Sequence, residues 1–584
     1  MRQVGSLLAM KSVRKKLFHA ASALALRSFE RRLPHADAIN LRELRSILQR
    51  NQASEFGRRH DFAGILTSPD MVSAYRAAVP LSAYCDYLDP VARISRGEAN
   101  VLTADPVTTI VGSAGTTGTP KRIPRSARAV GKTVFMVALV EQGVLDRGVE
   151  GARGPGRGIS LMGTYQAPAE PGLQVPLVSG PNAGMARIRR QIPVLWTSPE
   201  AVFAVQDPAA MLYLHALFGL ADRDAMYIST PFAPQLTAWF RLLDQHRDEL
   251  VDNLRSGTIP SWLKLTAEER GAVLRVCGSR PQRAAEVERV LADGMEGMAR
   301  RLWPGMKYFR TVTSGSFALS VPRLRQLAGD DILFYSGCHS STEGILGINL
   351  KLDGRNDYAL AVGNAFFEFL PLEGLDAAVP RTVDLADVQL GHEYELVQTS
   401  CAGLYRYRMG DIVRVVDRVG QAPVFNFLYR RGTMINLVGE KVTEHQTARA
   451  VEEALGAWRP AGSGVRDYSV MGTITPLGQG EYTFYIELEG ALPQVDDIRE
   501  LSVHLDRNLK EVNPYYDLMG RSVERLVEPK VKIVRSGTFS ELLQLQAKKE
   551  GSVPGAPVKV PRAVLGDEQR DLLESCVVVE VGDG

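Results

Sequence analysis

The chain has 584 residues, more than one hydrophobic core usually supports, so a large domain with a smaller one is expected. Hydrophobic residues make up 45% and charged residues 23%, which excludes a disordered or collagen-like chain. Lys plus Arg numbers 69 against 66 Asp plus Glu, a net charge of +3, too balanced to point to nucleic acid; a small-molecule substrate fits better.

The first elements are helical. Residues 12–55 carry apolar positions at helical spacing, among them Leu17, Ala20, Ala21 and Leu24, with a second amphipathic run over 41–48. The apolar stretch 4–10 ahead of them is interrupted by Lys11, Arg14, Lys15 and Lys16, so no secretion signal is expected and the basic start reads as a solvated helix face. No stretch approaches the ~20 apolar residues of a membrane span. The five cysteines, Cys85, Cys277, Cys338, Cys401 and Cys576, are scattered and never form a Cys-x-x-Cys pair, which argues for a reducing cytoplasm and against disulfides or zinc.

Thr108-Thr109-Ile110-Val111 predicts a strand that runs into Gly112-Ser113-Ala114-Gly115-Thr116-Thr117-Gly118-Thr119-Pro120-Lys121. Small residues and hydroxyls let backbone N–H and side-chain O–H groups surround a polyphosphate. A flexible Gly/Thr hairpin explains such a loop equally simply, and it is not a Walker loop, since no Gly-Lys-Ser/Thr closes it. A helical pattern resumes after Pro124, and 147–158 reads as a surface loop. The apolar residues over 129–143 would suit an apolar or aromatic ligand, or a core-facing helix.

Residues 236–300 are helical, broken near Gly257 and over 278–281; residues 362–418 alternate as strands do. Beyond Arg431-Gly432 come a helix (448–455), a strand (482–488), a helix (497–512) and a strand (531–534), a small α/β unit. The expected division is a large domain over 1–430 and a small one over 431–584.

Further motifs follow in order: Trp303-Pro304, Ser314-Gly315-Ser316, His339-Ser340-Ser341-Thr342-Glu343, Phe366-Phe367-Glu368-Phe369-Leu370-Pro371, Gly391-His392-Glu393-Tyr394-Glu395-Leu396-Val397 and Gly403-Leu404-Tyr405-Arg406-Tyr407-Arg408-Met409-Gly410-Asp411. With Asn253-Leu254-Arg255-Ser256-Gly257-Thr258, Ser536-Gly537-Thr538-Phe539 and Lys559-Val560-Pro561-Arg562, this ordered series resembles the Gretchen Hagen family of auxin-responsive acyl acid amido synthetases. Those belong to the adenylate-forming enzymes, and the likeness covers residues 41–565.

The resemblance implies an α/β, firefly-luciferase-like large domain with a smaller, mobile α/β C-terminal domain swinging about Gly432. It implies an ATP-dependent ligase that adenylates a carboxylic acid and passes the acyl group to an amine, an amino acid above all. A thioester ligase using coenzyme A or a carrier thiol, and a catalytically silent ligand-binding relative, remain the alternatives.

Residue by residue, Ser113, Ala114, Gly115, Thr116, Thr117 and Lys121 fall on the first ATP motif; Ala114 stands where the family has a second serine. His339, Ser340, Ser341 and Thr342 fall on the second, Tyr-x-Ser-Ser-Glu in the family, so an imidazole would face the adenine; an ordinary strand-end histidine is the alternative. Glu343 would hold Mg²⁺. In the third motif, with Tyr407, Asp411 would accept hydrogen bonds from both ribose hydroxyls, unless it only caps the turn at Gly410. Lys441 and Lys559 compete for the reacting carboxylate and the α-phosphate. ATP, Mg²⁺, a carboxylic acid and an amine are therefore the expected ligands, and a monomer the expected state.

Overall fold

In this computed structural model the described residues are 2–112, 121–163, 174–179, 191–314, 317, 320–375, 377, 379–431, 435, 437, 440, 442–458, 463–475, 479–521, 525–547, 559–564 and 566–580. Strands Gly158–Ser160, Tyr227–Phe232, Tyr308–Val312 and Leu333–Tyr335 lie side by side, all parallel. Parallel pairing requires long crossovers, usually helical. Helices Pro208–Ala221, Ala233–Gln245, Arg247–Ser256 and Pro281–Ala292 supply them, and one face of the sheet meets their apolar sides in a core that includes Leu214, Trp239, Trp303, Ile228, Phe309 and Phe334. The expected break at Gly257 is a left-handed cap, φ 76°, a conformation glycine adopts without a Cβ clash.

The other face of this sheet carries Tyr227 and Tyr308, whose rings stack 5.1 Å apart, and meets the helical stretch that follows the expected phosphate loop. That stretch starts later than the sequence suggests. Arg122–Ser126 is a strand pairing with Val107–Gly112, and Ser126 caps the helix by accepting from the Ala129 N–H. It runs Ala127–Val134, widens into a π-helical turn over Phe135–Val140, and continues as Glu141–Gly148. Against it lies the N-terminal helix Arg2–Glu30. A Cβ on Gly143 would sit 2.5 Å from the Ser22 carbonyl oxygen, so only glycine permits that approach. The helical stretch anticipated over 12–55 is divided by a 3₁₀ turn at Leu33–His35, where Pro34 has no N–H to continue the first helix; the second amphipathic run, 41–48, lies in a second helix, Ala36–Asn51.

The alternating segment 362–418 contributes three strands to a seven-stranded antiparallel sheet. Its order is Phe366–Pro371, Glu393–Thr399, Tyr407–Val419, Ala422–Arg430, Asp357–Leu360, Gly344–Ile348 and Cys338–Ser341. In the C-terminal part, Ser463–Ile474, Gly480–Gly490, Lys530–Val534 and Val577–Glu580 form a four-stranded sheet. Helices Glu444–Ala457 and Val495–Val512 close a separate core with it through Val451, Tyr468, Phe484, Ile498, Leu505 and Ile533. The anticipated elements at 448–455, 482–488, 497–512 and 531–534 fall inside these. Strands Ser463–Ile474 and Val577–Glu580 were not anticipated: polar residues and glycines mask the alternation in the first, and the second, Val-Val-Val-Glu, is too short to show one.

One buried ion cluster ties the N-terminal helices to the large sheet. Glu368, fully buried, receives Arg76 Nε at 2.9 Å on one oxygen and Arg406 Nε at 3.1 Å on the other. Arg406 holds a left-handed backbone, φ 45°, and also donates to the Val79 carbonyl at 3.0 Å. Removing one member of such a cluster leaves an uncompensated charge. Glu368→Ala is therefore expected to lower stability by about 3–5 kcal/mol, read as a fall in the urea midpoint, with Glu368→Gln falling between it and the wild type.

Candidate active site

Strands Tyr407–Val419 and Ala422–Arg430 are joined by a two-residue turn at Gly420 and Gln421, with Gly420 at φ 62° as tight hairpins need. The ladder leading away from this turn sets Asp411 opposite Arg430. Arg430 Nε donates to Asp411 Oδ1 at 2.6 Å, and His339 Nε2 lies 3.1 Å from Oδ2. Asp411 is fully buried. Burial alone would raise its carboxyl, but the charge of Arg430 and the His339 contact outweigh it and hold the group well below the usual carboxylate range. The same pairing raises Arg430.

His339 is oriented by packing. Its strand Cys338–Ser341 pairs with Gly344–Ile348, and its ring stacks on Phe427 at 4.8 Å with Phe425 edge-on at 5.9 Å. The turn after it brings in Glu343. Ser341 Oγ accepts from the Glu343 N–H at 3.2 Å, and Arg125, itself buried, donates to the Thr342 carbonyl at 2.5 Å. Ser340 is exposed at the end of this strand.

Beside this pair lies a second. Glu343 is 2% exposed, and its Oε1 accepts from Lys121 Nζ at 3.2 Å and from the Tyr407 hydroxyl at 3.1 Å. Lys121 Nζ also donates to the Tyr407 oxygen at 2.9 Å. Burial pushes Glu343 up, but Lys121 and then Arg430 draw it below its ordinary value. Burial and the neighbouring Glu343 raise the Tyr407 hydroxyl, so it stays a donor.

From the C-terminal part, Lys559 reaches across to Phe232 and Phe317. Its Nζ lies 4.8 Å from each ring centroid, and the two rings stack on each other. Burial, then the repulsion of Arg430, lowers its ammonium to about 8, with Glu444 and Asp411 pulling the other way. Phe232 ends a strand of the parallel sheet, so Lys559 enters at the carboxyl ends of those strands.

Lys121, His339, Ser340, Ser341, Thr342, Glu343, Tyr407, Asp411 and Lys559 thus lie around one crevice, although they come from four separate stretches of sequence. Ser113, Ala114, Gly115, Thr116 and Thr117 lie outside the described residues, as do Lys441 and Gly432. Sequence reasoning missed Arg430 and the aromatic seat of Lys559. The signal for Arg430 was available: counting back equally from a Gly420-Gln421 turn pairs it with Asp411.

Asp411 is held below its unfolded value, so its contribution to stability is present above about pH 4 and is lost as pH falls through the folded value. Arg430→Met removes the cation that holds it there. The variant is expected to melt lower at pH 7, with the gap from wild type narrowing as pH falls and the variant's Asp411, now raised by burial, takes up its proton. Thermal unfolding at a series of pH values measures this; a gap that stays constant would contradict the pairing.

The chain matches the GH3 family N-terminal domain over residues 25–333, the GH3 family central domain over 358–430 and the GH3 family C-terminal domain over 445–568. It is 29% identical over 574 residues to a probable indole-3-acetic acid-amido synthetase, GH3.2, of Oryza sativa subsp. japonica, covering 93% of this chain and 90% of that protein. It is 28% identical over 527 residues to the 4-substituted benzoates-glutamate ligase GH3.12 of Arabidopsis thaliana, covering 87% and 90%. Among solved structures, the GH3.15 acyl acid amido synthetase matches with a TM-score of 0.83 at 25% identity, covering 95% and 96%. A 2-hydroxyisobutyryl-CoA ligase in the postadenylation state matches with a TM-score of 0.52 at 12% identity, covering 92% of each chain, a likeness in the adenylate-forming fold alone. With the family's three domains matched in order along most of its length, the chain belongs to the GH3 family of acyl acid amido synthetases.

Proposed function

We propose that this chain converts a carboxylic acid, ATP and an amine, an amino acid foremost, into an amide, AMP and pyrophosphate. The observation that carries the reading is the convergence of three cations, Lys121, Arg430 and Lys559, with the carboxylates Glu343 and Asp411 in one crevice. Family membership supports it, since the relatives named above are amido synthetases and ligases.

In the first half-reaction an acid oxygen attacks the α-phosphorus and pyrophosphate leaves. The acid is already ionised at neutral pH, so the protein's work is positioning and charge neutralisation. A carboxylate offers about four lone-pair sites. His339 and Arg430 engage one on each oxygen of Asp411, which leaves acceptor capacity for the two ribose hydroxyls. His339, held between Phe427 and Asp411, borders the place where the adenine would lie. Lys121 and the hydroxyls of Ser113, Thr116 and Thr117 would contact the phosphates.

Glu343 suits Mg²⁺, which with a nucleotide takes only one or two protein carboxylates; its buried carboxylate is kept ionised by Lys121 and Arg430. When bound, the ion neutralises charge on the phosphate oxygens. In the second half-reaction the amine nitrogen attacks the acyl carbon, AMP leaves, and the nitrogen loses a proton. Lys559, or Lys441 in its place, would stabilise negative charge on the acid and α-phosphate.

The test is release of pyrophosphate and AMP over a panel of acids, with amino acids and coenzyme A supplied separately. Asp411→Ala is expected to abolish adenylation, and coenzyme A to give no thioester; full pyrophosphate release from that variant, or thioester in place of amide, refutes the reading. If Lys559 acts as a cation, pyrophosphate release falls as pH rises through about 8, and Lys559→Met slows it by about 10²-fold and removes that limb of the profile.

A further inference from the structure

The N-terminal helix Arg2–Glu30 is held to the rest of the protein along one side. Leu26 and Phe29 are buried in the core that also contains Met136, Val140 and Val144. Phe18 packs against the cluster of Ile192, Trp196 and Phe203, and His19 Nδ1 lies 2.7 Å from Asp146 Oδ2. A helix packed on a protein surface needs only one apolar stripe, with polar residues on the side facing water. This one carries a second. Val13, Leu17, Ala20 and Leu24 fall at i, i+4, i+7 and i+11, a single line along the outer side. Val13 is 56% exposed, Leu17 64% and Leu24 64%. Exposed apolar residues scattered singly are ordinary; three large ones aligned on one helix make an apolar face that no described residue covers.

The charges on the helix indicate what would cover that face. Residues 1–30 hold six cations, Arg2, Lys11, Arg14, Lys15, Lys16 and Arg27, against one acid, Glu30, a net +5 in a chain whose total is +3, so the rest of the chain is net negative. Read from sequence alone, this start is a solvated basic face. In the structure the exposed Arg14 and Lys16 stand on opposite flanks of the apolar line, as their places on the helix require. Cations so placed keep their heads at the water boundary while their aliphatic stems and the stripe between them enter an apolar layer. Nucleic acid would use the cations and leave Val13, Leu17 and Leu24 wet. A second copy packed through this face would set one basic helix against another. An acidic lipid surface meets both needs. No described helix is long and apolar enough to cross a membrane, so the contact is with the surface alone.

We propose that the outer face of helix Arg2–Glu30, along Val13, Leu17 and Leu24, docks this chain onto the surface of a membrane that contains anionic phospholipid.

Cosedimentation of the full chain with vesicles tests it, with equal parts phosphatidylserine and phosphatidylcholine compared with phosphatidylcholine alone. Affinity for the mixed vesicles is expected to be about tenfold higher or more, and to fall as salt is added. Leu17→Gln with Leu24→Gln should lower it about tenfold, and Arg14→Gln with Lys16→Gln by a similar factor. All four side chains are exposed, so both variants should keep the wild-type melting temperature.

Equal binding to the two kinds of vesicle, binding to neither, or binding that survives either pair of changes overturns the proposal. So does a chain that is dimeric by light scattering and made monomeric by the leucine changes, since a second copy would then cover the face.

Discussion

A carboxylate with no solvent around it must be held ionised by something, and at Asp411 that something is Arg430, one strand away, together with His339. This contact fixes much else. It requires the hairpin turn at Gly420-Gln421 to set the register, since a slip of one residue would turn one of the two side chains to the opposite face. It requires His339 to present Nε2, which the stack on Phe427 secures. Arg430 also lowers Glu343 and depresses Lys559, so a single guanidinium couples the charge states of the whole crevice.

Much of this was legible in the sequence, for a definite reason. Motifs that carry chemistry are contiguous: His339 through Glu343 occupy one strand and turn, and Tyr407 through Asp411 one strand. Their residue types announce the task without any knowledge of the fold. Long periodic elements were legible too, such as helix Val495–Val512 and the alternating strands after 362.

What escaped were pairings across distance. The Arg76–Glu368–Arg406 cluster joins residues hundreds of positions apart, and no local pattern reports it. Phe232 and Phe317 stack to seat Lys559 from a third stretch of the chain, and nothing local in the sequence brings the three together. The start of the helix at Ala127 was obscured because Ile123-Pro124 belongs to a strand that pairs backwards onto Val107–Gly112.

The aromatic seat of Lys559 has one more consequence. A lysine buried against two stacked rings and repelled by Arg430 is less basic than the same lysine in water, so withdrawal of the C-terminal segment would be accompanied by proton uptake. Posture and acidity are then two readings of one equilibrium: alkaline solution favours the docked arrangement, and acid loosens it.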